Sequence, residues 1–232
     1  MTVEIVPAAG PRWTRKRLVD MLIACYGPSP RGAVDVAAVA AAAGVGESTV
    51  RRWITRGDHA NNRRPAIPAR RLTQLQLGPP ELEYRNDQVY RYAVAAIADI
   101  AAERTIEPSW RRQGWLDDQT VSVIAVHAKP WHQVVISNGS ARSQAELHRR
   151  GATIDSVVVP TRFHAQVLAH AVMLTQQAWR VHPAPTELKT GATTVWMADA
   201  PPVNLKQLLR QLFPPPRRAK KTVKRTAQRS GE

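Results

Sequence analysis

The segment VDVAAVAAAAGVGESTVRRWI, residues 34–54, carries the densest structural pattern in the chain. It predicts two short helices joined by a tight turn. Helices that cross at a steep angle need a small residue where they touch, and Ala40 has that position in the first helix. Gly44 follows four residues later, where the turn requires a left-handed backbone that glycine adopts without steric penalty. The sequence therefore predicts a bend at Gly44 and a second helix just beyond it.

The side chains around this turn divide into a buried set and an outward set. Glu47 and Ser48 open the second helix, where short polar groups cap free backbone amides. Four apolar side chains are expected to fill the hydrophobic centre between the helices, namely Val39, Val45, Val50 and Trp53. The residues left on or near the outward face are Gly46, Glu47, Ser48, Arg51, Arg52 and Thr55.

This segment resembles the helix-turn-helix of bacterial and phage repressors, and it covers about a tenth of the chain. In that family the second helix lies in the major groove of double-stranded DNA, with its N-terminal half against base edges. The resemblance implies that Arg51 and Arg52 contact guanine or phosphate. It also implies shorter phosphate or base contacts by Ser48 and Thr49. Glu47 would accept a hydrogen bond from a cytosine amino group, or would disfavour an incorrect register of the helix on the DNA.

Arginines that follow the second helix extend the predicted DNA-binding surface. Arg63 and Arg64 suit phosphate clamping or insertion into a narrow minor groove, with a solvated loop as the alternative. A short helix that begins at Pro68 carries arginines that could contact the DNA backbone beside the groove. The alternative is that they form an exposed helix face without a partner. The predicted DNA-binding residues are Gly46, Glu47, Ser48, Thr49, Arg51, Arg52, Thr55, Arg56, Arg63, Arg64, Arg70 and Arg71. Gly46 departs from the repressor pattern, because repressors more often carry serine there.

The charge balance favours a polyanionic partner. The chain of 232 residues has 33 Lys+Arg against 18 Asp+Glu, for a net charge of +15, and phosphate backbones are the commonest cellular polyanions. No apolar run approaches the roughly 20 residues that span a bilayer, and the N-terminus lacks a signal-peptide pattern. The single cysteine, Cys25, excludes an internal disulfide or a Cys-rich zinc site. We therefore expect a cytoplasmic, nucleoid-associated protein without membrane contact.

The remaining patterns predict an α+β protein in four parts. These are a helix-turn-helix domain (1–78) that begins with a loose arm (1–12), a linking helix and connector (79–118), a small α/β partner or oligomerisation domain (119–213) and a disordered basic tail (214–232). Further helices are predicted at 14–26, 68–77, 81–104, 140–150, 161–179 and 204–213, and strands at 121–126, 133–137, 156–159 and 193–197.

The predicted order of elements in residues 121–179 is strand, strand, helix, strand, helix. It resembles the topology of small nuclease domains such as GIY-YIG, so a nuclease is the enzyme class to consider. Those enzymes need paired tyrosines on the first two strands, and both segments lack tyrosine. The helix at 161–179 offers no metal-binding glutamate, and the histidines lack the spacing that metal hydrolases use. No catalytic residue, metal or cofactor is therefore predicted.

Together these patterns predict a sequence-specific double-stranded DNA-binding protein, a transcriptional regulator of the repressor type from bacteria or phage. A homodimer is expected, because two recognition helices one DNA turn apart read a palindrome. The helix at 81–104 would link the two halves or form the two-fold contact. The alternatives are a DNA-binding protein of a mobile element acting in replication, recombination or packaging, a DNA-processing nuclease, and an ordinary helical core without DNA binding.

Deleting the basic tail should weaken the salt dependence of DNA binding. Residues 214–232 hold seven basic residues and one acidic residue, and each neutralised phosphate adds about 0.9 to the slope of log affinity against log salt. Fluorescence anisotropy titrations of the full chain and of residues 1–213 at several salt concentrations measure that slope. The preferred site should stay the same in both, and an unchanged slope would show that the tail does not contact DNA.

Overall fold

The computed structural model describes residues 5–55, 66–78, 80–104 and 106–214, which form a mixed α+β protein. The α-helices in these ranges are α1 (Arg15–Tyr26), α2 (Val36–Ala43), α3 (Glu47–Thr55), α4 (Ala69–Leu77), α5 (Pro80–Ala101), α6 (Pro108–Arg112), α7 (Ala141–Arg150), α8 (Arg162–Thr175) and α9 (Leu205–Leu212). The strands are β1 (Gln119–Val126), β2 (Trp131–Ser137), β3 (Gly151–Val159) and β4 (Val195–Met197). None of these helices is both long enough and apolar enough to cross a bilayer.

The boundaries of the first helices follow from capping chemistry. The Thr14 hydroxyl accepts a hydrogen bond from the Arg17 amide, and the Asp35 carboxylate accepts one from the Ala38 amide, so α1 and α2 both begin at side-chain caps. Gly44 ends α2 in the left-handed conformation, with φ 61° and ψ 42°. The predicted backbone conformation at Gly44 is therefore confirmed.

The four strands form one antiparallel sheet in the order β3-β1-β2-β4. β1 is central, with Val123 opposite Val134 of β2 and with Val121 opposite Val157 of β3. Because every described pairing is antiparallel, this part of the chain is α+β rather than the predicted α/β.

One hydrophobic core joins the N-terminal helices to the sheet. Leu18 and Leu22 of α1 belong to the same buried cluster as Trp131 of β2 and Trp196 of β4. Cys25 lies in that cluster too, and burial raises the pKa of its thiol to about 12. Residues before the predicted boundary at 78 and residues after the boundary at 118 therefore share a core, and α1 is part of it.

The segment before α1 differs from the predicted loose arm. The Ala8 amide donates to the Thr175 carbonyl over 2.7 Å, and the Trp179 indole N–H donates to the Ala9 carbonyl over 2.7 Å. A buried indole N–H needs an acceptor, and the arm supplies it. Described residues of the arm are thus docked at the end of α8.

Two further predicted segments need correction. The connector around Trp110 forms the short helix α6, which has proline at its first position and buries the Trp110 ring. The predicted helix 161–179 ends at Thr175 and continues as one turn of 3₁₀ helix at Gln177–Trp179. Both differences concern short helical turns, which leave little periodic signal in a sequence.

Replacing Gly151 should destabilise the sheet. Gly151 begins β3 so close to β1 that an added Cβ would lie 2.8 Å from the Ala125 carbonyl carbon and overlap its oxygen. Gly151→Ala must therefore displace backbone, and we expect a loss of about 1–3 kcal/mol in the free energy of unfolding, measured by urea denaturation. Gly46→Ala is the control, because its Cβ would meet no atom nearer than the Ser48 hydroxyl at 3.8 Å. Equal losses in the two variants would contradict the close approach of β1 and β3.

Candidate nucleic-acid interface

The turn between α2 and α3 fixes where α3 begins. The Gly44 amide donates to the carbonyls of Ala40 and Ala41, and the Val45 amide donates to Ala40 over 3.0 Å. The Gly46 carbonyl then accepts from the Thr49 amide over 2.9 Å, which starts the hydrogen bonding of α3. Every residue of the turn therefore takes part in ending one helix or opening the next.

One side of α3 is buried and the other faces solvent. Val50 is 0% exposed and Trp53 is 4% exposed, and both belong to the core that contains α1 and α2. Thr49 is half-buried. The predicted outward residues are all exposed, namely Gly46, Glu47, Ser48, Arg51, Arg52 and Thr55. The predicted division of α3 into a buried and an exposed face is confirmed.

Two arginines bind backbone carbonyls at the C-terminal ends of α2 and α3. The Arg15 Nε donates to the Ile54 carbonyl near the C-terminal end of α3. The Arg71 guanidinium donates to the Ala43 carbonyl at the end of α2 over 3.0 Å and to the Gln74 side chain over 2.9 Å. Cations at helix C-termini are favourable because they bind the free carbonyls and complement the helix dipole. Arg15 and Arg71 therefore brace the two helices.

The two adjacent arginines of α3 differ in their surroundings. Arg51 forms an ion pair of 2.7 Å with Glu47, one turn earlier, and both side chains are largely exposed. Arg52 makes no ion pair with any residue that the structure describes. Exposed ion pairs contribute little, since solvent screens them. The Arg51–Glu47 pair can therefore exchange for another partner at small cost.

The other predicted contact residues fall into three groups. Arg70 is exposed on α4. Arg71 lies beside it, but its guanidinium is already bonded to α2. Arg56, Arg63 and Arg64 lie outside the described residues. Of the predicted DNA-binding arginines that the structure describes, Arg51, Arg52 and Arg70 present exposed side chains and Arg71 does not.

The described part of the chain from residue 5 to residue 78 carries a net positive charge. Residues 5–55 and 66–78 hold nine arginines and lysines against three acidic residues. One of the three acids, Asp35, caps α2, and another, Glu47, pairs with Arg51. An electrostatic field of this sign attracts polyanions and repels acidic surfaces.

Several concave regions lie away from α3, and two of them adjoin α7 and α8. An open groove of about 660 Å³ lies between the 113–119 connector and α7, and its lining mixes Arg142 and Arg162 with Asp117 and Asp118. A smaller cavity of about 250 Å³ lies between α5 and α8. Within the ranges that the structure describes, no three His, Cys, Asp or Glu side chains gather where they could hold a metal ion.

Comparison with protein-family models, with curated proteins and with solved structures finds no match to this chain. Its function is therefore inferred from its own residues and their geometry.

Adjacent arginines on α4 should differ in their effect on stability. Arg71→Ala removes the hydrogen bond to the Ala43 carbonyl, and we expect it to lower the free energy of unfolding by about 1 kcal/mol. Arg70→Ala removes the same charge from an exposed position, and its effect should stay within about 0.5 kcal/mol. Denaturant titrations followed by circular dichroism compare the two. Equal stability of both variants would mean that Arg71 does not brace α2.

Proposed function

We propose that this chain is a sequence-specific double-stranded DNA-binding protein that places α3 in the major groove and acts as a transcriptional regulator of the repressor type. The observation that carries the proposal is the exposed polar face of α3, which the buried Val50 and Trp53 hold outward. As part of the same proposal, the protein acts on nucleoid DNA in the cytoplasm and has no catalytic role.

The dimensions of α3 suit this role. A helix with its side chains is about 10–12 Å across, which matches the width of the major groove. Insertion requires an uninterrupted exposed face, and the outward residues of α3 supply one from Gly46 to Thr55. The buried opposite side and the Arg15 hydrogen bond at Ile54 restrain the helix, so that little ordering remains to be done on binding.

Different residues of α3 take different tasks in the proposed complex. Arg52, which has no ionic partner among the described residues, binds guanine or phosphate directly. Arg51 is held by Glu47 in the free protein, so a base contact by Arg51 needs Glu47 to turn toward a cytosine amino group. Ser48 and Thr49 lie in the first turn of α3, where the positive end of the helix dipole favours phosphate.

The basic residues around α3 serve the DNA backbone in this proposal. Arg70 is exposed on α4, and in the proposed complex it binds the phosphates that flank the groove. Arg71 is a positioning residue rather than a DNA contact, because its guanidinium binds α2. Arg56, Arg63, Arg64 and the basic tail keep the roles predicted from the sequence.

A homodimer belongs to the proposal, because two copies of α3 would read a palindromic site. Exposed apolar side chains on α5 support it. Tyr84 is 68% exposed, Tyr92 is 44% exposed and Val89 is 43% exposed, and Val89 and Tyr92, three residues apart, lie on the same side of α5. Burying that side against a second copy would remove apolar surface from water.

Genome-wide mapping of the bound sites tests the proposed function. Recurrence of one short, two-fold symmetric sequence at promoters is the result expected of a repressor-type regulator. Enrichment at replication origins or attachment sites would favour a role in a mobile element. Uniform coverage without a recurring sequence would overturn sequence-specific binding.

Arg52→Ala should weaken binding to the cognate site by about 1–3 kcal/mol and relax base preference at one position. Binding to random DNA should weaken much less, because a non-specific complex does not use the base contact. Arg142→Ala is the matched control, since Arg142 is an equally charged, exposed residue on α7. Anisotropy titrations of the unchanged chain and of both variants on cognate and random duplexes measure the six affinities. Equal losses on both duplexes would exclude base reading by Arg52.

A further inference from the structure

The cavity between α5 and α8, here called the α5–α8 pocket, has the features of a small-molecule site. Its volume is about 250 Å³, slightly below the range of pockets that hold drug-sized ligands, so it suits a smaller molecule. Its lining combines rings, apolar side chains and a few polar groups, among them Tyr90, Ile136, Arg162, Gln166, His170 and Met173.

Arg162 is the cationic side chain of this lining that lacks an ionic partner among the described residues. Glu83 forms an ion pair with both terminal nitrogens of Arg180, and Asp87 pairs with Arg91 of the next helical turn over 3.3 Å. No described carboxylate is paired with Arg162. The lining holds Glu83 and Asp87 against Arg162 and Arg180, and of these four groups Arg162 alone has no ion pair with a described residue. Its guanidinium is therefore the group open to a ligand carboxylate.

The walls of the pocket favour a planar body. The rings of Tyr90 and His170 are stacked, with centroids 4.2 Å apart and planes inclined by 16°. Burial lowers the pKa of His170, so its ring is neutral at pH 7 and adds no second cation. Ile136 and Met173 complete the apolar wall. Gln166 Oε1 is buried and accepts no hydrogen bond from a described residue.

We propose that the α5–α8 pocket binds a small aromatic carboxylate, with the ring beside Tyr90, His170 and Met173 and the carboxylate on Arg162. The planar guanidinium of arginine matches the two oxygens of a carboxylate, and a ring packs against the other rings and the thioether. Neutral aromatic compounds would fill the same volume but leave Arg162 without a partner.

The pocket is connected to α3 through α4. Gln76 of α4 donates to the carbonyls of Ala178 and Arg180, and the Arg180 side chain lines the pocket. Arg71, on the same helix, binds the Ala43 carbonyl next to the Gly44 turn. A ligand that shifts Arg180 therefore acts on the helix that braces α2. This coupling rests on the proposed DNA-binding function, whereas the ligand site does not.

Isothermal titration calorimetry of the full chain with benzoate tests the site, and benzamide serves as the neutral ligand of the same shape. We expect saturable benzoate binding with a dissociation constant below about 1 mM, and binding of benzamide at least about tenfold weaker. Equal affinities for the two probes, or no saturable binding of benzoate, would overturn the proposal.

Three variants locate the binding. Arg162→Gln should weaken benzoate binding by about tenfold or more, and Ala169→Phe should abolish it by filling the pocket. Arg142→Gln, in the neighbouring groove, should leave the affinity unchanged. Thermal melts establish that each variant is folded, and Arg162→Gln keeps the test decisive if Ala169→Phe does not fold. If Arg162→Gln binds benzoate with unchanged affinity, or if only Arg142→Gln loses affinity, the ligand does not bind in the α5–α8 pocket.

The coupling has its own readout. Benzoate should change the affinity for cognate DNA by about fivefold or more, and Gln76→Ala should reduce that change while binding benzoate normally. An unchanged DNA affinity with benzoate bound would refute the coupling and leave the ligand site standing. Absence of specific DNA binding would refute the proposed function, and the calorimetry would still decide the ligand site.

Discussion

The packing of Val50 and Trp53 into the core is the constraint on which the orientation of α3 depends. Both side chains are almost fully buried, so any rotation of α3 about its axis would bring apolar surface into water. The left-handed backbone at Gly44 sets the direction in which the helix leaves the turn. Once these two conditions are met, the side on which Arg51 and Arg52 lie is exposed and is not covered by any residue that the structure describes.

The shared core gives this arrangement a rigid base. Buried residues of α1, α2 and α3 belong to the same cluster as the tryptophans of β2 and β4. The arm, the Arg15 hydrogen bond and the Arg71 hydrogen bond add polar connections around that core. Helices as short as α2 and α3 would be marginal in isolation, and their stability comes from this packing.

Local sequence patterns predicted the parts of the fold that depend on local chemistry. The turn at Gly44, the two faces of α3 and the strands around Val123 and Val134 all follow from residues close together in the chain. Arg71 shows where such patterns stop, because its partner Ala43 is 28 residues away and only the folded chain brings the two together. The sequence presents Arg70 and Arg71 as equivalent, and the structure separates an exposed residue from a brace. The docked arm and the α5–α8 pocket have the same origin in long-range packing.

The burial of Cys25 makes the protein convenient for spectroscopy. Its thiol has a pKa of about 12 and no exposed surface, so at neutral pH it offers neither the thiolate nor the access that alkylating reagents require. Since the chain has one cysteine, a second one introduced on the surface would be the single reactive thiol. A maleimide dye or spin label could be attached there without first removing the native residue.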